Sequence, residues 1–144
     1  MKIRKGRLSD LNEIHKMLNE SEELHGTENK EEYPKYRIRE TLKDKIESVL
    51  VAEENKKLVG FLIAEVWRKK RYSYISNIFV KPDYRKKGVA SELIKNHEDN
   101  CKKLGINGIF ALVLVNNKKM QSFMKKYNYK KGKEFLYYEK ELKK

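Results

Sequence analysis

Residues 106–115 read INGIFALVLV, an almost unbroken apolar run. A strand wetted on one face alternates apolar and polar residues, so a run without alternation is expected where both faces are covered. Just before it, Val89 to Leu104 places Val89, Leu93, Ile94, His97, Cys101 and Leu104 on one side of a helix, and Gly105 stops that helix. Earlier still, Tyr72 to Val80 (YSYISNIFV) is rich in aromatic and β-branched residues and reads as a strand. Strand, helix and strand in this order leave little freedom. The two strands must lie parallel, and the helix must cross one face of the sheet in the right-handed sense.

The rest of the chain supplies further strands and a second helical layer. Lys2 to Lys5 is a short strand. Ser9 is placed to cap a helix carrying Leu11, Ile14, Met17 and Leu18 and ending near Gly26. A second helix is expected from Glu32 to Ile46, with Pro34 in its first turn. Ser48 to Glu54 and Lys57 to Trp67 form a hairpin around Asn55-Lys56, and the charged turn Arg68 to Arg71 leads to Tyr72. Asn117 to Lys126 is a short helix with Met120, Phe123, Met124 and Tyr127 on one face, and Tyr129 to Leu142 reads as a closing hairpin around KGK. The order is β-α-α-β-β-β-α-β-α-β-β. It predicts an α/β (α+β) fold, one domain over residues 1–144, with a mixed central sheet of about six to seven strands and helices on both faces.

No run of about 18 apolar residues occurs, so no membrane-spanning helix is expected. The start MKIRKGRLSDL lacks the apolar region of a secretory signal, and one cysteine, Cys101, makes neither a disulfide nor a cysteine-based zinc site. A cytoplasmic setting is the expectation. Charge is distributed unevenly. Residues 1–65 carry 13 Lys+Arg and 14 Asp+Glu, whereas residues 66–144 carry 21 and 7. A basic half suits a polyanionic partner: nucleic acid, an acidic membrane or a phosphorylated small molecule.

Between the strand ending at Val80 and the helix starting at Val89 lies KPDYRKKG. The first N–H groups of a helix are unpaired, and its dipole adds positive charge there, so this junction can hold a phosphate. Gly88 lets backbone approach closely, and Arg85, Lys86 and Lys87 add full charges. Neither G-x-G-x-x-G nor G-x-x-x-x-G-K-[ST] occurs, which disfavours a dinucleotide dehydrogenase or a nucleotide hydrolase.

Arg85-Lys86-Lys87-Gly88-Val89-Ala90 fits R/Q-x-x-G-x-G/A, and Ile78-Phe79-Val80-Lys81-Pro82-Asp83-Tyr84 leads into it. Further on, Asn117 precedes Phe123-Met124-Lys125-Lys126-Tyr127-Asn128-Tyr129, similar to L-Y-x-K-x-G-F. Together with the element order, these residues resemble the GNAT superfamily of acetyl-CoA-dependent N-acyltransferases over almost the whole chain. The resemblance implies an N-acetyltransferase that moves an acetyl group from acetyl-CoA to a primary amine in a ternary complex. It implies that backbone groups of Ile78, Phe79 and Val80 meet the pantetheine arm. The amides from Lys86 to Ala90, with Ser91 and Arg85 beside them, would hold the pyrophosphate. Asn117 would reach the pantetheine or acetyl end, besides capping its helix, and Lys125 or Lys126 would approach the 3′-phosphate.

The resemblance stops short at the proton-transfer groups. An alkyl ammonium of pKa about 10.4 costs roughly 4–5 kcal/mol to deprotonate at pH 7, so a general base helps, and a general acid helps the thiolate leave. The family's usual tyrosine acid falls at Met124, which has no proton to give. Tyr127, one turn on, is the nearest phenol. The region matching the family's strand carboxylate, Tyr74-Ile75-Ser76-Asn77, holds no acid, which leaves Glu65 on the adjacent strand as candidate base. His15 and His25 are further candidates near the acceptor, while His97 falls on an apolar helix side. A thiol of pKa about 8.5 can also leave without an acid, and an α-amino acceptor of pKa about 7.8 needs only about 1 kcal/mol to deprotonate.

The segment that borders the acceptor in the family, Asn19 to Glu32, holds Glu20, Glu22, Glu23, Glu28, Glu31 and Glu32 against Lys30, followed by Tyr33 and Tyr36. An acidic, aromatic rim suits a cationic amine; a solvated helix end reads the same way. Two other readings stand beside the enzyme. One is a CoA-binding sensor or degenerate transferase, motivated by Met124. The other is a basic nucleic-acid-binding module, which lacks interleaved aromatic and basic residues. The expected partners are therefore acetyl-CoA and an amine acceptor, a small molecule or a protein amino group, without nucleic acid, membrane or metal. An edge strand near residues 135–142 makes a homodimer an open expectation.

Overall fold

A computed structural model describes residues 1–20, 34–44 and 46–143. Five strands form one sheet in the order β1-β2-β3-β4-β5. They are β1 (Lys2–Lys5), β2 (Glu47–Glu54), β3 (Lys57–Trp67), β4 (Tyr72–Val80) and β5 (Gly108–Ala111). The first four pair antiparallel, and β4 pairs parallel with β5, as the strand-helix-strand order requires. The helices are α1 (Leu11–Glu20), α2 (Lys35–Lys43), α3 (Val89–Lys103) and α4 (Lys118–Lys126).

The local signals in the sequence place most of these elements. Asn55 and Lys56 both adopt positive φ, the twisted turn that joins β2 to β3. Gly105, at φ 72°, ends α3. The sheet is apolar on both faces. Leu11, Ile14 and Leu18 of α1 and Ile38 of α2 pack on Val51, Phe61 and Ile63. Across the sheet, Val89, Leu93 and Ile94 of α3 pack on Ala52, Leu62 and Ile75.

Three expectations change. The sheet has five strands among the described residues, not six to seven, because Tyr129 to Leu142 forms no hairpin. Every residue from Lys130 to Lys143 is exposed, so no face of the molecule covers a hairpin there. The run 106–115 is not a strand buried on both faces. Only Gly108–Ala111 pairs, and Leu112 and Val115 are 71% and 76% exposed, because among the described residues no strand lies beyond β5 to cover them. Ser9 does not cap α1. A short 3-10 turn over Leu8–Asp10 precedes it, and Asp10 reaches back instead. Its carboxylate accepts from the Arg7 N–H at 2.7 Å and from both Nη atoms of Arg4 at 2.8 and 2.9 Å. The end of α1 near Gly26, the stretch Glu32 and Tyr33, His25 and most of the glutamate segment lie outside the described residues.

Asp10 ties β1 to the entry of α1. Burial alone would raise its carboxyl, but the hydrogen bonds from Arg4 and the Arg7 N–H outweigh that and hold it below the usual range. Removing one partner of such a largely buried, bidentate pair leaves an uncompensated charge. Asp10→Ala is therefore expected to cost about 3 kcal/mol in urea unfolding, against less for Asp10→Asn, which keeps an acceptor. Equal midpoints for wild type and Asp10→Ala would contradict the assignment.

Candidate active site

The site begins where β4 loses a neighbour. Its pairing with β5 runs from Tyr72↔Gly108 to Ile75↔Ala111 and stops. Its pairing with β3 continues to Gly60↔Val80. From Ser76 to Val80, β4 has no strand partner on the β5 side among the described residues. Direction along this edge follows from one bond. The Lys81 N–H donates to Val59 O of β3 at 2.9 Å. Backbone groups alternate sides along a strand, so those of Phe79 also face β3, and those of Ile78 and Val80 face the open side. Val80 O confirms this, since it accepts from Arg85 Nε at 3.0 Å from beyond the sheet.

A bulge shapes the same stretch. Ile63 pairs with Asn77 and Ala64 with Ile75, so Ser76 is an extra residue in β4. Its hydroxyl donates to Ile63 O at 3.2 Å. The bulge turns Ile75 toward α3 while Asn77 and Phe79 lie toward α1 and α2. Gly60, opposite Val80, is held to glycine by crowding: an added Cβ would lie 2.7 Å from Phe79 O.

At the end of the open edge the chain turns through Pro82–Tyr84 into α3. Lys86 and Gly88 take positive φ, 62° and 83°. Gly88 has nothing within 4 Å of an added Cβ, so it is there for its backbone angle rather than for space. It precedes α3 without a side-chain cap, and the first bond of the helix is from Glu92 N to Gly88 O. The N–H groups of Val89, Ala90 and Ser91 are therefore unpaired at the positive end of a 15-residue helix. Arg85 sits over the Phe79 ring at 5.8 Å and Lys87 over Tyr84 at 5.6 Å, which fixes two of the three cations around this turn.

The sequence model of the acetyltransferase (GNAT) family matches residues 11–129, from α1 through α4 to Tyr129. The chain belongs to the GNAT acetyltransferase family. Comparison with curated protein sequences finds no match. Solved structures share the fold at low identity. The aminoglycoside 6′-N-acetyltransferase AAC(6')-IG from Acinetobacter haemolyticus is 16% identical, with a TM-score of 0.82 over 99% of this chain and 100% of that one. AAC(6')-Iy, solved with the bisubstrate analogue CoA-S-monomethyl-acetylneamine, is 17% identical, with a TM-score of 0.80 over 98% of each chain. A ribosomal-protein-alanine N-acetyltransferase from Brucella melitensis biovar Abortus 2308 is 18% identical, with a TM-score of 0.75 over 99% of this chain and 100% of that one.

The remaining candidates fall into place around this GNAT sheet. Asn117 caps α4, its Oδ1 accepting from Met120 N at 3.1 Å, and its amide nitrogen has no partner among the described residues. Met124 is buried. Tyr127 packs its ring on Phe123 at 4.7 Å, with Lys126 Nζ 5.7 Å from its centroid. Lys125 and Lys126 close the last turn of α4. Glu65 is half-buried on β3 opposite Tyr74, next to a stack of Trp67, Phe110 and Tyr74. His15 lies on α1, and Tyr36 is exposed on α2.

Sequence reasoning missed the pocket on the α1–α2 face. Leu18, Ile38, Ile63 and Asn77 form its floor, and Arg37, Glu40, Thr41 and Asp44 its polar wall, around a cavity of about 260 Å³. Asn77 reaches it only because of the bulge. The charges of α2 carried no motif that would have set them apart from a solvated helix face.

His97 is structural. It is 1% exposed, and Ser73 lies 2.9 Å from its Nε2. The Ser73 hydroxyl gives its one proton to Glu65 O, so it must accept from Nε2–H, which leaves Nδ1 bare, with no partner among the described residues. Burial pushes the imidazole down to about 4. The unfolded chain then binds the proton first, so this residue's contribution is complete above pH about 6.5 and is lost as pH falls toward 4, on the order of 3 kcal/mol. Urea midpoints measured at pH 7 and pH 4.5 should drop more in wild type than in His97→Gln. Parallel drops would show that His97 is not the titrating group.

Proposed function

We propose that this chain transfers an acetyl group from acetyl-CoA to a cationic primary amine, the two substrates bound together. One observation carries the reading: the unshared edge of β4 from Ser76 to Val80 ends at the uncapped start of α3. An extended pantetheine arm, with its own amides, adds to the outward-facing backbone of Ile78 and Val80 as a short strand would. Its pyrophosphate then meets the N–H groups of Val89, Ala90 and Ser91, with Arg85, Lys86 and Lys87 around it. The thioester lies back along β4, near the bulge at Ser76 and Asn77, and Asn117 approaches it from α4.

The acceptor enters from the other face, through the pocket between α1, α2 and β4. Glu40 and Asp44 outnumber Arg37 on its polar wall, a net negative charge that favours a cation. Glu65 lies on this same face of β3, two residues beyond Ile63 of the pocket floor, because residues i and i+2 share one side of a strand. It is the carboxylate placed to take a proton from an incoming ammonium, directly or through water. Met124 supplies no proton, so the thiolate is protonated by Tyr127 or by water. Positioning in the ternary complex supplies the larger part of the acceleration. The second reading, a CoA-binding sensor without turnover, draws on the same Met124.

Two measurements divide these readings. Acetyl-CoA should raise the melting temperature, and a panel of amines should release free thiol from it only if the chain turns over. Stabilisation without thiol release for any amine selects the sensor; neither effect rejects both. Gly88→Asp puts a carboxylate into the phosphate turn at a residue whose angle Asp tolerates moderately well. It should weaken acetyl-CoA binding at least tenfold with a small change in melting temperature, whereas unchanged affinity would place the pyrophosphate elsewhere. Glu40→Gln should raise KM about threefold to tenfold for a cationic acceptor at low salt, and the effect should fade as salt rises. A flat KM would remove the acidic mouth from the account.

A further inference from the structure

The sheet face that floors the α1–α2 pocket continues past the helices. On β3, Ile63, Glu65 and Trp67 share this side, and their partners on β4 are Asn77, Tyr74 and Tyr72. On β5, Phe110 pairs with Tyr74 and Gly108 with Tyr72. The face therefore steps from Ile63 and Asn77, through Glu65 and Tyr74, to Trp67 and Tyr72. Ile63 belongs to the core under α1 and α2, whereas Phe110 and Tyr72 are 37% and 51% exposed.

The rings beyond the helices form one surface. Tyr74 stacks on Phe110 with centroids 5.0 Å apart, and Trp67 reaches across β4 to the same Phe110 at 5.9 Å. Tyr72 lies against Gly108, where an added Cβ would meet its ring at 2.8 Å, so this ring lies flat only because residue 108 has no side chain. A shelf of four partly exposed rings is matched to a flat apolar body. Charge changes sign along it. At the pocket end stand Glu65, Glu40 and Asp44, against Arg37. At the far end is the turn Arg68-Lys69-Lys70-Arg71, whose four residues are exposed and make no ion pair among the described residues. Lys70 turns back onto the shelf, its Nζ 5.7 Å from the centre of the Trp67 ring. From Ile63 to Trp67 the strand covers about 13 Å. A ligand laid along this length meets acids at one end and cations at the other.

We propose that the acceptor is an elongated amine with a flat apolar body and an anionic far end. Trp67, Tyr72, Tyr74 and Phe110 hold the body, and the 68–71 turn holds the anion, a carboxylate or a phosphate. The assignment rests on the acetyl transfer proposed above, with the amine beside Asn77 and Glu65. It disfavours polycations, because the acidic pocket takes one ammonium and the turn repels a second.

Trp67 is the one tryptophan of the chain, so its fluorescence reports on the shelf directly. The probes are 4-(aminomethyl)biphenyls carrying a carboxylate, a phosphate, a carboxamide or a second aminomethyl group at the far end, titrated into protein saturated with CoA. The better of the two anionic forms should change Trp67 emission saturably and bind at least tenfold more tightly than the carboxamide, with the diamine weakest. Its margin over the other anion names the group the turn takes, and the advantage should shrink as salt rises. Arg68→Glu with Lys70→Glu should reverse the order of carboxylate and diamine, while acetyl-CoA still raises the melting temperature as in wild type. A silent Trp67, a diamine that binds wild type as tightly as the anions, or an order unmoved in the folded variant would each overturn the shelf. Should the variant not fold, the wild-type ranking and its salt dependence still decide. Thiol release from acetyl-CoA, read in parallel, separates the two levels. Anion-selective binding without thiol release would reject the transfer and keep the shelf, whereas faster release with the diamine would keep the transfer and reject the shelf.

Discussion

A strand inside a sheet must satisfy the backbone on both of its edges, and β4 does so only as far as Ile75. β3 pairs its whole length, but β5 stops at Ala111. The outward groups of Ile78 and Val80 are left for something that is not a strand of this sheet, and Val80 O has already found Arg85. The bulge at Ser76 begins where the second edge opens. It reverses the facing of β4, so that Asn77 lines the α1–α2 pocket. The donor side and the acceptor side of the proposed reaction are therefore two consequences of one gap in pairing.

The turn into α3 completes the donor side. Positive φ at Lys86 and Gly88 directs the chain so that α3 begins without a cap, and a helix start without a cap seeks an anion. The cations are arranged around that start rather than in it. Arg85 lies over Phe79 and holds Val80 O; Lys87 lies over Tyr84. The basic character of residues 66–144 thus has a local use, although most of those lysines stand elsewhere on the surface. The apolar faces of the sheet, fixed at one end by the Arg4–Asp10 pair, supply the rigidity on which this edge depends.

The sequence was most legible where the signal is local. β3, β4, α3 and the Asn55-Lys56 turn fall where alternation, helical spacing and turn residues place them. The Gly88 turn was legible because its needs, a left-handed residue beside a helix start, are written in adjacent positions. Legibility failed where a partner decides the outcome. The run 106–115 has the composition of a covered strand, but coverage depends on what lies beyond β5, and the 129–142 hairpin is absent for the same reason. The acceptor pocket was hidden for another reason. Arg37, Glu40, Thr41 and Asp44 differ in no way from a wet helix face until α2 is set against Asn77, and Asn77 changes side through a single extra residue in β4.

The central claim is that acetyl-CoA occupies the open edge of β4 and the start of α3 at once. Backbone amide resonances followed during titration with acetyl-CoA test it residue by residue. The account predicts that the largest shifts fall at Ile78 and Val80 and at Val89, Ala90 and Ser91, with the edge and helix-start amides saturating at one concentration. Saturable binding that leaves the Ile78 and Val80 amides unmoved would contradict it.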